Sequence, residues 1–139
     1  MATRYTEALY PDTFYHVYSH AVGEENLFRS DENYNYFLEK YSQYTDPVCG
    51  TYAYCLMPNH FHFLIRVRGE KELSDFLKQN PADFQNQPDL VTLVTRQFSH
   101  LLLSYAKAYN KRYQRRGGLF VEPFRRKIVS TDRYLITLV

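Results

Sequence analysis

From Phe14 to Val22, apolar and polar side chains alternate, a period of two that predicts a β-strand with one buried face. The period then lengthens. Ser30 followed by Asp31 and Glu32 reads as a helix N-cap with an acidic first turn. Tyr34, Phe37, Leu38 and Tyr41, with Tyr44 able to extend them, recur at helical spacing up to the Asp46-Pro47 break. A second strand runs from about Val48 to Leu56 and turns at Pro58-Asn59; a third runs from His60 to Arg68. The stretch 69–89 is acidic and interrupted by Pro81 and Pro88, so it reads as an insertion carrying one short helix near Leu73–Lys78.

A long helix follows, from about Leu90 to Tyr113, with Val94, Phe98, Leu101, Leu102, Tyr105, Ala108 and Tyr109 on its apolar face. Gly117-Gly118 ends that region, Arg126–Val129 suits a short fourth strand, and Ser130-Thr131-Asp132 resembles the cap of a further helix. The order β-α-β-β-α-β predicts an α+β fold of the ferredoxin-like, split βαβ kind: a four-stranded antiparallel sheet with helices on one face. At 139 residues the chain is expected to form a single domain.

Composition narrows the class. Aromatic residues make up 17% of the chain, with 14 tyrosines and 10 phenylalanines, so most rings must be core and abundance cannot nominate a catalytic tyrosine. Cys49 and Cys55, without a signal peptide or membrane-length apolar run, suggest small packing residues in a reduced, cytoplasmic protein. The net charge of +2 conceals an asymmetry. Residues 1–106 hold 8 basic and 13 acidic side chains, a balance of −5, whereas residues 107–139 hold 9 and 2, a balance of +7. Lys107, Lys111, Arg112, Arg115, Arg116, Arg125, Arg126 and Lys127 are therefore candidate phosphate-backbone contacts. The macrodipole of the long helix accounts equally for Lys111 and Arg112 but not for the later arginines.

The chemistry concentrates in Met57-Pro58-Asn59-His60-Phe61-His62-Phe63-Leu64-Ile65. Strand alternation puts His60 and His62 on one face and Phe61 and Phe63 on the other, so two imidazoles can share one divalent ion while two phenyl rings anchor the strand. A His-x-His pair by itself also suits one hydrogen-bonded and one solvated histidine.

The longer string from Tyr52 to Ile65 resembles the metal-binding hairpin of the HUH-type single-tyrosine transposases of insertion sequences and palindromic repeats, with Phe61 as the hydrophobic residue between the histidines. Tyr15-His16-Val17-Tyr18, Glu25 to Arg29, Arg115 to Phe120, Phe124 and Asp132 to Leu135 resemble further stretches of that family, so the likeness spans most of the chain.

The resemblance implies His60 and His62 as ligands of Mg2+ or Mn2+ and single-stranded or hairpin DNA as partner. It also implies strand cleavage through a 5′-phosphotyrosine and a homodimer in which one subunit's tyrosine helix completes the partner's site. The family's tyrosine would fall immediately after Val139, and a third ligand, Asn or Gln, four residues beyond it. Two expectations follow: a metal-dependent nicking and strand-transfer enzyme whose frame was cut, or a catalytically inactive hairpin-binding remnant. Tyr105 and Tyr134 are candidate substitutes, though helical spacing makes both core aromatics. His16 and His20 read as first-strand surface positions, and His100 has no evident partner. Arg66 and Arg68 share the strand face of His62, while Tyr109, Tyr113, Phe120 and Phe124 are candidates for stacking on unpaired bases. An RNA-binding ferredoxin-like domain would need aromatic residues at ribonucleoprotein-motif spacing, which this sequence lacks.

Overall fold

The computed structural model describes residues 6–81 and 88–130. Its elements are β1 (Phe14–His20), α1 (Asp31–Thr45), β2 (Cys49–Met57), β3 (His60–Val67), α2 (Glu70–Gln79), α3 (Leu90–Arg112) and β4 (Arg125–Ile128). The strands form one antiparallel sheet in the order β2-β3-β1-β4, the split βαβ arrangement anticipated from the element order. The cap expected at Ser130-Thr131-Asp132 is described only at Ser130, the last described residue, and the Tyr134 helix lies outside the described residues.

One face of the sheet is the core. Phe61, Phe63, Ile65 and Val67 of β3 and Tyr15 and Val17 of β1 are buried there against Phe37 and Tyr41 of α1 and Phe98, Leu101 and Tyr105 of α3. Each buried phenyl contributes about 1.5–3 kcal/mol by leaving water. Tyr41 lies flat on Phe63, centroids 3.9 Å apart and planes 7° apart, and its hydroxyl meets Thr51 Oγ1 at 2.6 Å. Phe37 packs edge-on to Tyr105 and close to Phe61. β3 is therefore pinned through its odd-numbered residues, which leaves His60, His62, Leu64 and Arg66 on the opposite face, away from α1 and α3.

The tip of the β2–β3 hairpin is held by backbone rather than by packing. Pro58 O accepts from Leu27 N at 2.7 Å and from Phe28 N at 3.2 Å, and Asn59 O accepts from Ala21 N at 2.9 Å. The segment after β1 thus clamps the turn that carries the histidines.

α2 corrects the expectation for the acidic stretch. The helix begins at Glu70 rather than near Leu73, Gly69 occupies its N-cap, and Leu73 is fully buried. Glu70 and Glu72 favour the helix N-terminus, and Lys71 pairs with Asp75 one turn on at 3.1 Å, so the acidic charges that open the stretch stabilise the helix. After α3 the chain turns through Gln114 and Gly117, both at positive φ, with Asn110 Nδ2 donating to Gly117 O at 3.0 Å.

Candidate metal centre and nucleic-acid interface

The β1–β3 register sets His62 opposite Tyr18, His60 opposite His20, and His16 opposite Leu64. All four histidines consequently share the face turned away from α1 and α3. His16 is buried and its Nε2 stands 2.7 Å from His62 Nδ1. The His16 ring also stacks on Tyr18, centroids 4.5 Å apart. This contact revises the reading of His16 as an ordinary surface position; nothing in the sequence reveals the strand register that creates it. His20 is exposed and its Nδ1 lies 2.9 Å from Ala21 O.

His60 Nδ1 lies 2.8 Å from Asn59 Oδ1. An amide oxygen only accepts, so His60 carries its proton on Nδ1 and keeps the Nε2 lone pair for an external ligand. His62 likewise uses Nδ1 internally, toward His16 Nε2, in a bond that either ring can donate. The His60 and His62 ring centroids are 5.1 Å apart, with planes at 88°. Two imidazoles on one first-row ion, at Nε2–metal distances of roughly 2.1 Å and a cis or tetrahedral angle, have centroids roughly 4.5–5.5 Å apart. Burial pushes His16 down to about 4, with the charges of His62 and Lys127 adding to the effect, and burial followed by the His60 charge lowers His62. Burial thus favours the neutral form of His62, the form that ligates metal. The residues present fit a divalent ion as a two-nitrogen half-site. Among the described residues, no group of three His, Cys, Asp or Glu is arranged to hold a metal.

A cavity of about 270 Å³ opens beside this pair, lined by His16, His62, Ala53, Cys55 and Leu64. Cys55 is exposed and opposite His62 in the β2–β3 register, whereas Cys49 is buried, so only Cys49 is the packing residue expected of both.

The cationic residues separate into distinct settings. Arg125 and Lys127 face Tyr18 and His16 across the β1–β4 ladder and share the histidine face. Arg126, between them, turns to the other side, where its Nε donates to Glu7 O at 2.9 Å and its guanidinium covers the Phe124 ring at 4.6 Å. Arg115 is committed to the fold through Glu25, Asn110 and the carbonyls of Gly117 and Gly118. Lys107, Lys111 and Arg112 are exposed on α3, Arg112 paired with Glu32 at 3.0 Å, and Arg116 is exposed beyond it. One run of charge in the sequence is thus two surfaces plus two structural guanidiniums.

Other candidates fall away from the site. Arg66 shares the histidine face and pairs with Asp12 at 3.0 Å, but Arg68 lies past the strand end, donating to Asp46 O at 2.8 Å. Tyr109, Phe120 and Phe124 are buried, and Tyr113 is half-buried beneath the Arg29 guanidinium at 4.2 Å, so all four rings already serve packing. Tyr105 is also buried, its hydroxyl donating to Leu27 O and its ionisation pushed far up by burial. It is a core residue rather than a nucleophile.

No helix among the described residues is long and apolar enough to cross a membrane. The sequence matches no protein-family model and no curated protein. A solved structure, that of a REP-associated tyrosine transposase bound to a REP hairpin, is similar with a TM-score of 0.59 and 11% identity, covering 99% of this chain and 68% of that one. At that identity the likeness is one of fold: this chain has the α+β architecture of that transposase, with a four-stranded antiparallel sheet.

Proposed function

We propose that this chain is the metal- and hairpin-binding domain of an HUH-type single-tyrosine transposase. It takes Mg2+ or Mn2+ on His60 and His62 and seats single-stranded or hairpin DNA on the histidine face of the sheet. A tyrosine hydroxyl, which the sequence resemblance puts just after Val139, would cut one strand and remain linked to its 5′-phosphate, leaving a free 3′-OH. The observation that carries this reading is the pair of imidazoles on one strand face, 5.1 Å between ring centroids, each of whose Nδ1 atoms has a partner within the protein.

The bound ion would supply Lewis-acid neutralisation of the non-bridging phosphate oxygens. The protein's part is to hold the imidazoles rigidly on β3, with Phe61 and Phe63 anchored behind them, and to attract the backbone with Arg125 and Lys127. Further coordination positions would go to the Asn or Gln implied by the resemblance and to the phosphate. The family resemblance extends the reading to a homodimer, which sedimentation of the free protein would register. Tyr105 is not that tyrosine, because its hydroxyl donates to Leu27 O inside the core.

The test titrates Mn2+ and a labelled DNA stem-loop into the native chain and the variants His60→Ala and His62→Ala. The native chain should bind both, and each variant should lose Mn2+ while keeping its circular-dichroism spectrum. A frame extended through the tyrosine should form a covalent adduct that both variants abolish. Unchanged Mn2+ affinity in either variant refutes the metal assignment.

A further inference from the structure

We infer that His16 is a positioning residue for the metal site: it accepts a hydrogen bond from His62 Nδ1–H and so locks His62 in the tautomer that presents Nε2 outward. The inference rests on the metal reading of His60 and His62 for its functional meaning and on a single distance for its geometry, the 2.7 Å between His16 Nε2 and His62 Nδ1.

Two neutral imidazoles at that distance share one proton, and either can be the donor. The two choices differ in consequence. If His62 donates, its Nε2 lone pair is exposed and His16 carries its own proton on Nδ1. If His16 donates, His62 is protonated on Nε2 and cannot ligate there. Only the first gives the two candidate ligands the same presentation, because His60 is already fixed with its proton on Nδ1 by Asn59 Oδ1. Asn59 and His16 are then equivalent parts, an amide on the hairpin turn for one ligand and an imidazole on the neighbouring strand for the other. Ligating histidines ordinarily require such an acceptor on their second nitrogen.

The setting of His16 suits that task. Its ring is buried, stacked on Tyr18 at 4.5 Å and nearly parallel to His62, with 25° between planes. Lys127 stands opposite it on β4, so the ring is enclosed between β3 and the edge strand. The contact also links β1 to β3 across the sheet, so a ligand on the hairpin is braced by the central strand.

The test compares His16→Gln, whose amide oxygen reaches the position of the lost Nε2, with His16→Phe, which keeps a ring but offers no acceptor. Nitrogen-15 imidazole spectra of the metal-free protein should show His62 protonated on Nδ1 in the native chain and in His16→Gln, and shifted toward the Nε2–H form in His16→Phe. Mn2+ affinity should fall on the order of 10–100-fold in His16→Phe and recover most of that loss in His16→Gln. A native His62 protonated on Nε2, or a His16→Phe variant with native tautomer and native Mn2+ affinity, overturns the inference. Should His16→Phe fail to fold, the native spectrum and the His16→Gln variant decide. Because the tautomer is read without metal, a native chain that binds no Mn2+ sinks the metal reading separately, while the spectra still settle the role of His16.

Discussion

Arg115 Nε donates to Glu25 Oε1 at 2.6 Å, joining the loop after β1 to the turn after α3 across 90 residues of sequence. The Glu25 loop leads into the Leu27–Phe28 segment that clamps Pro58 at the hairpin tip, so this ion pair supports the histidine turn from behind. Arg115 also donates to Asn110 Oδ1 and to the carbonyls of Gly117 and Gly118, and only 14% of its side chain is exposed.

Arg115→Ala should therefore cost about 1–3 kcal/mol of stability by taking the partner from the half-buried side chains of Glu25 and Asn110. The hydrogen bond from Arg115, reinforced by the charges of Arg115 and Arg29, holds the Glu25 carboxyl below its ordinary range. A carboxylate depressed in this way adds stability that is complete above its unfolded value and disappears as pH falls through the folded one. Urea unfolding should show native protein more stable than Glu25→Gln at pH 7, with the gap closing once pH drops below the usual glutamate range. A gap that widens in acid would contradict the pairing.

The division of the cationic residues predicts a division in salt dependence. Hairpin affinity should fall linearly with the logarithm of salt concentration, and Arg125→Ala and Lys127→Ala should each lower that slope by about 0.7–0.9. Lys107→Ala and Lys111→Ala, on the helix layer, should leave it unchanged. Arg126→Ala should affect stability more than slope, because its guanidinium is spent on Glu7 O and the Phe124 ring. Equal slopes for the sheet-face and helix variants would argue against DNA seated on the histidine face.

The two thiols should differ in reactivity by their surroundings. Burial pushes Cys49 up to about 12, so it stays a protonated, inaccessible thiol, while Cys55 is exposed opposite His62. A disulfide reagent at pH 8 should titrate one thiol in native protein and two after unfolding. Bound stem-loop DNA should slow the reaction of Cys55, and full reactivity in the complex would place the DNA elsewhere.

Much of this was legible beforehand where local periodicity carried it. The alternation over β1, the helical spacing of Phe37 and Tyr41, and the break at Asp46-Pro47 lie within two residues of the observed boundaries. β4 begins at Arg125, one residue earlier than its hydrophobicity suggested, because pairing with Tyr18 extends the ladder. The short helix expected near Leu73–Lys78 is present but starts three residues earlier, because Glu70 and Glu72 suit a helix N-terminus as well as a loop.

The sequence by itself determined the strand and helix order, the shared face of His60 and His62, and the anchoring role of Phe61 and Phe63, since each depends on spacing within one element. Only the tertiary structure decided which residues from other elements join them. His16 meets His62 through antiparallel register between strands 46 positions apart. Arg125 and Lys127 reach the histidine face while Arg115 and Arg126 are drawn into the fold, although all four belong to one basic run. Side chains that touch across a sheet are set by which strands pair and in what register, and no period within a single segment carries that information.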